Sequence, residues 1–154
     1  MTYVQPILEY CSSVWSPHHK YPINKIEYVQ KIFTNRLPGL WNLPYSQRLA
    51  SLNIQSLEHR RILSDLTLFY KLQHHYCDSS VADFFKVCST SITRRNSQKL
   101  YKEHCSTDVT KNYFSNRVVA IRNCLPSCVV SASSLNSFKG TLHSYEAIFQ
   151  NNRN

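Results

Sequence analysis

The stretch Ser56–His75, SLEHRRILSDLTLFYKLQHH, decides the fold. Ser56 is a candidate N-cap, and Glu58 falls near the positive end of the helix it would open. One broad face holds Ile62, Leu63, Leu66, Phe69 and Tyr70, and a second holds Leu57, Leu68 and Leu72. Two apolar faces predict a helix packed between others, with Arg60 and Lys71 on the wet side. Such a helix is the expected centre of the fold.

Working outward, Tyr3–Trp15 places Val4, Ile7, Leu8, Cys11, Val14 and Trp15 on a helical stripe, stopped by Ser16–Pro17. A second helix is expected from Pro22, with a stripe of Ile23, Ile26, Val29, Phe33 and Leu37, ended by Pro38–Gly39. Ser46–Leu52 reads as a short helix. From Cys88 to Thr110 the chain turns polar and rich in Ser, Thr and Asn, which predicts a loop or arm. Two further helices follow. The first carries Phe114, Val118, Ile121 and Leu125 and ends at Pro126; the second carries Leu135, Phe138, Leu142, Tyr145 and Phe149 behind Ser134 as a cap. The expectation is an all-α fold, six or seven helices in an irregular bundle with a basic polar loop around residues 88–110. One domain over 1–154 is expected, divided into helices at 1–87, that loop, and a C-terminal pair at 111–150.

Composition narrows the function classes. With 154 residues the chain can bury a core, and 42% apolar against 18% charged residues reads as globular. Only two glycines occur, and neither GxGxxG nor GxxxxGK[ST] is present, which argues against nucleotide-binding α/β folds. The same scarcity argues against sandwiches and barrels, whose tight turns draw on glycine. Net charge is +9, and residues 94–122 carry seven Lys/Arg against two acids. A surplus of that kind favours polyanion partners through counterion release. No signal peptide is apparent, and no run approaches the ~18 apolar residues of a spanning helix, so no membrane partner is expected. Six cysteines without a secretory signal point to reduced thiols in cytoplasm or nucleus. His74, His75 and Cys77, or Cys124 and Cys128, lack zinc-site spacing, so no metal or cofactor is expected.

Catalytic chemistry has little to work with. None of the nine acids has a neighbour at the spacing of a two-metal carboxylate site. The segment VADFF at Val81–Phe85 places Phe84 where a polymerase hairpin would hold a second aspartate, leaving Asp83 as a structural residue at a short helix start. No GxSxG elbow occurs, and the paired histidines sit at expected helix ends. No catalytic residue is assigned, and the chain alone is not expected to be an enzyme.

Five blocks carry a family likeness: YVQPILEYCSSVWSP, IEYVQKIFTNRL, YSQRLASLNIQSLEHRRILSDLTLFYKL, YFSNRVVAIRNCLP and SLNSFKGTL. In this order, from about Tyr3 to Leu142, they resemble the C-terminal, thumb and post-thumb region of jockey-like non-LTR retrotransposon reverse transcriptases. The resemblance implies a fragment of an RNA-directed DNA polymerase whose endonuclease, fingers and palm, with the paired palm aspartates, precede anything present here. Two positions depart from the family pattern. Arg122 stands where a Trp usually precedes the Asn-x-Leu-Pro run, and Gly140 stands where a basic residue follows Phe-Lys.

Two roles follow as expectations. As a nucleic-acid-binding module, the chain would use Arg94, Arg95 and Lys99 in the polar arm, supported by Arg60, Lys71 and Arg117 on helices. These would contact RNA or DNA phosphates without reading sequence, and Tyr101 and Tyr113 would stack on bases. The alternative for each cation is an ordinary solvated face. The second role is a protein-interaction or structural remnant without activity, whose first helix seeks the missing polymerase domain or a second copy of itself.

Overall fold

The computed structural model describes residues 4–86 and 99–144. Nine α-helices and one 3₁₀ turn make up the described residues, which contain no strand, so the fold is all-α. Nine helices stand against an expected six or seven because short segments add to the count and the first helix is divided. Cys11 adopts a left-handed conformation, φ 50°, which splits the expected Tyr3–Trp15 helix into α1 (Val4–Glu9) and α2 (Ser12–Trp15). The chain forms two compact units, Met1–Ser64 and Asp65–Asn154.

In the first unit, α3 (Lys20–Asn35) packs against α4 (Tyr45–Ser51). Helix α3 starts two residues before Pro22, which still lies in the first turn where a missing N–H costs nothing. The face α3 turns inward matches the expected apolar stripe only in part: Ile23, Ile26 and Leu37 are half-buried. Glu27, Gln30 and Thr34 are buried, whereas Val29 and Phe33 are exposed. The cause is a set of tertiary hydrogen bonds. Glu27 accepts from the backbone N–H of Leu57 at 3.0 Å and from the Tyr45 hydroxyl, and Gln30 donates to the Gln55 carbonyl at 3.0 Å. A carboxylate on α3 thereby satisfies an orphan donor at the start of α5 (Leu57–Gln73). Ser56 caps the same end, accepting from His59 N–H at 3.3 Å.

Helix α4 closes without glycine. Asn53 is left-handed, φ 51°, and Ile54 N–H reaches Leu49 O at 2.9 Å, a Schellman closure. Helix α5 ends the same way: His75 sits at φ 55° and Tyr76 N–H reaches Lys71 O at 2.9 Å. Thus a chain with two glycines ends helices on Asn and His.

The second unit holds the apolar core. From α5 come Leu66, Phe69, Tyr70 and Leu72; from α7 (Phe114–Cys124) come Val118, Val119 and Ile121. Leu125, Val129 of α8 (Ser127–Val130), and Phe138 and Leu142 of α9 (Leu135–Ser144) complete it. Tyr70 stacks on Phe138 with centroids 4.5 Å apart and donates to the Ala132 carbonyl at 2.9 Å, so its hydroxyl is satisfied where it is buried. Phe69 meets Phe85 edge-on at 5.0 Å. Arg122 also lies in this core, 2% exposed, with its guanidinium 5.7 Å from the Phe69 ring. Helix α7 ends one residue before Leu125, whose ψ of 140° is what a following proline demands. Ser134 opens α9 as expected, accepting from Ser137 N–H at 3.2 Å. Tyr145 and Phe149 fall outside the described residues.

Candidate nucleic-acid interface

The six cations singled out from the sequence meet different fates. Arg94 and Arg95 lie outside the described residues. Arg60, on α5, forms a two-point ion pair with Glu9 of α1, its Nη2 2.9 Å from Oε2. Arg117, on α7, makes a bidentate pair with Asp65 at 2.8 and 3.1 Å and also donates to the Asn112 carbonyl at 3.1 Å. Asp65 is buried and the Arg117 side chain is only 16% exposed, so this pair is a tie between α5 and α7. Lys71, in the last turn of α5, and Lys99 are half-buried.

The polar segment is anchored at Leu100 and Tyr101. The Asn123 side chain of α7 brackets Leu100: its Oδ1 accepts from Leu100 N–H at 3.1 Å and its Nδ2 donates to Leu100 O at 2.9 Å. Tyr101 N–H donates to Lys86 O at 2.8 Å, and Lys86 Nζ lies 2.7 Å from Glu103 Oε1. That carboxylate raises the Lys86 pKa above its ordinary value. Residues 86 and 101 are therefore tied together, and Leu100 is buried as a plug. Beyond this root the chain stays non-helical until α6 (Asp108–Lys111), which Thr107 caps by accepting from Thr110 N–H at 3.3 Å.

Along 101–113 most side chains face solvent. Tyr101 and Tyr113 are 52% and 65% exposed, and Lys102 and Lys111 are exposed as well. Lys102 and Lys111 contributed to the basic run in the sequence but were not singled out; their position beside unburied aromatics in an irregular segment is the signal for them. The cleft next to this segment, about 120 Å³, is lined by Lys86, Tyr101, Glu103, Ser115 and Asn116. It has room for only a few water-sized molecules and is far below the size of a drug-like ligand site.

Asp83 serves its own turn. Its carboxylate accepts from Ser80 N–H at 2.8 Å while Ser80 Oγ accepts from Ala82 N–H at 3.1 Å, a reciprocal capping box. His74 stacks on Tyr70 at 4.1 Å, and His19 is the N-cap of α3. Cys11, Cys124 and Cys128 are exposed free thiols and Cys77 and Cys105 are half-buried ones, so the five described cysteines are surface or near-surface residues rather than buried ones. Among the described residues no three His, Cys, Asp or Glu side chains converge on a point where a metal ion could sit. No described helix is long and apolar enough to cross a membrane.

Comparison with known proteins adds one likeness. Over 84 residues the chain is 33% identical to a Caenorhabditis elegans protein described as uncharacterized protein B0403.1. The match takes in 51% of this chain and 42% of that protein, so the chain spans less than half of the relative's length. No family signature and no solved structure matches.

Proposed function

We propose that the chain is a sequence-independent nucleic-acid-binding module, derived from the C-terminal region of a jockey-like non-LTR reverse transcriptase and without polymerase activity of its own. The observation that carries this is the 99–113 segment, where Tyr101, Tyr113, Lys102 and Lys111 stand in solvent on a root fixed by Asn123 and Lys86. Exposed aromatics interleaved with lysines suit a single strand: bases stack on rings and phosphates meet ammonium groups, with no base edge read. Arg94 and Arg95 extend the same stretch of sequence. Arg60 and Arg117 act here as scaffolding, because their guanidinium groups already hold carboxylates. The five blocks of likeness quoted above support the retrotransposon origin.

The test is fluorescence anisotropy of a labelled single-stranded RNA across a salt series. Five phosphate contacts, from Arg94, Arg95, Lys99, Lys102 and Lys111, predict a log–log slope of about −3.5. Reversing Lys102 and Lys111 to Glu should make that slope shallower by about 1.4, and Tyr113→Ala should weaken binding without changing it. Absence of binding at low salt, or binding indifferent to salt, would refute the proposal.

A further inference from the structure

The fully buried side chains of unit 1 are mostly polar, and apolar ones such as Ile23, Ile26, Leu49 and Ile54 are only half-buried. Leu57 is the one buried hydrophobic residue among its described residues, against fourteen in unit 2, while Ser12, Glu27, Gln30, Thr34, Arg48 and Arg61 are buried polar or charged ones. Conversely, ten of the fifteen exposed large hydrophobic side chains among the described residues belong to unit 1. Five of those ten are on α3: Tyr21, Tyr28, Val29, Ile32 and Phe33. Turning Glu27 and Gln30 inward to bond the start of α5 and the Gln55 carbonyl necessarily turns this apolar set outward.

The outward stripe has a helix-pairing period. Tyr21, Lys25, Tyr28 and Ile32 recur at intervals of four, three and four, the spacing of a seam that receives a second helix. Sixteen residues give a face about 24 Å long, enough for several turns of a partner. The seam is rimmed by cations. Lys20, Lys25 and Arg36 are exposed and Lys31 is half-buried, whereas the one acid of α3, Glu27, is buried on the opposite side. Lys25 Nζ lies 4.7 Å from the Tyr21 ring centroid, so cation and ring already share this surface. A second copy of the chain would bring like charge to like charge.

The exposure pattern favours protein over lipid. The tyrosines are 60–70% exposed and the aliphatic Val29 and Ile32 only 36–40%. A helix entering a bilayer would present aliphatics foremost, whereas prominent tyrosines beside recessed apolar side chains are the composition of protein interfaces.

We infer that the outward face of α3 is a docking surface for an amphipathic helix of a partner protein, with an apolar seam flanked by Asp or Glu. It lies on unit 1 and uses none of the 99–113 residues. The experiment compares two labelled helical peptides of about 18 residues, identical in their leucine seam but flanked in one by Glu and in the other by Lys. The full chain should bind the Glu peptide, raise its helicity, and prefer it over the Lys peptide by about tenfold or more. Ile32→Asp and Tyr28→Ala should weaken binding. The double variant Lys25→Glu with Arg36→Glu, at two exposed positions, should invert the preference; Lys102→Glu with Lys111→Glu should leave it unchanged while reducing RNA binding. Equal binding of the two peptides, binding of neither, or a preference that survives the charge reversal would overturn the inference. So would displacement of the Glu peptide by a single-stranded oligonucleotide or by phosphatidylserine vesicles, which would assign the face to those ligands.

Discussion

Replacing Arg122 with methionine should make unit 2 more stable. The residue is 2% exposed, and neither its Nε nor its Nη1 has a hydrogen-bond partner. Burial alone lowers its pKa, which records an environment that disfavours the charge. Its compensation is the Phe69 ring at 5.7 Å, worth on the order of 0.5–2 kcal/mol. Against that stand two desolvated donors at about 1–3 kcal/mol each. Methionine fills a similar length with an adaptable apolar chain, so the substitution should recover about 1–4 kcal/mol. For a chain of this size that is a rise of roughly 2–4 °C in Tm per kcal/mol. Ellipticity at 222 nm through a urea titration is the suitable assay, because both tryptophans, Trp15 and Trp41, belong to unit 1 and would miss the change. The sign of the pH dependence is also fixed. A base whose folded pKa is depressed destabilises the fold while charged, and relief comes only as pH rises through that pKa. For an arginine this lies far above neutrality, so the gain from methionine should be flat between about pH 5 and 9. A variant no more stable than the parent, or a gain that varies across that range, would refute the reasoning.

Asp65→Asn should cost about 3–5 kcal/mol, because it leaves the Arg117 guanidinium facing an amide in a buried site; adding Arg117→Met should restore most of the loss in the same urea titration. Gly140→Ala should stabilise α9 by up to about 1 kcal/mol, since a Cβ there meets nothing within 4 Å, and a thermal melt would show it. His75→Gly should gain about 0.5–1 kcal/mol by relieving the left-handed φ of 55° at the end of α5. Tyr45 gives a pH prediction for unit 1. Burial and the Glu27 carboxylate raise its pKa well above the ordinary 10.0. The unfolded chain therefore releases that proton first, so stability should be complete below about pH 10 and fall above it. Tyr45→Phe should flatten that decline, as read by tryptophan fluorescence at fixed urea.

Helices α5, α7 and α9 were legible because their burial follows the helical period: Leu66, Phe69 and Tyr70, then Val118 and Ile121, then Phe138 and Leu142 sit where the pattern placed them. Helix α3 was legible only in part: Ile23, Ile26 and Leu37 are half-buried, but Val29 and Phe33 are exposed because polar groups also set its orientation. Glu27 reaches a backbone donor thirty positions away and Gln30 an acceptor twenty-five away, and no local periodicity encodes such bonds. The candidate cations show the same limit. Arg60 and Arg117 look like solvated bases until Glu9 and Asp65, fifty-one and fifty-two positions distant, close on them. The caps at Ser56 and Ser134 were visible because their partners are three residues away. The split at Cys11 had no such cue, since a left-handed cysteine inside an apolar stripe carries no compositional mark.

The hydrogen-bonded interior of unit 1 bears on how it responds to temperature. Heat capacity of unfolding grows with newly hydrated hydrocarbon, at about 0.45 cal/mol/K per Å², and is reduced by newly hydrated polar surface, at about 0.26. A centre whose fully buried side chains include Glu27, Gln30, Thr34 and Arg48 releases more of the second, relative to the first, than the core of unit 2 does. Its free-energy curve should accordingly be shallow, with chilling eroding it little and warming melting it over a wide interval, while the aromatic centre around Phe69 and Phe138 follows the steeper arc of an ordinary domain.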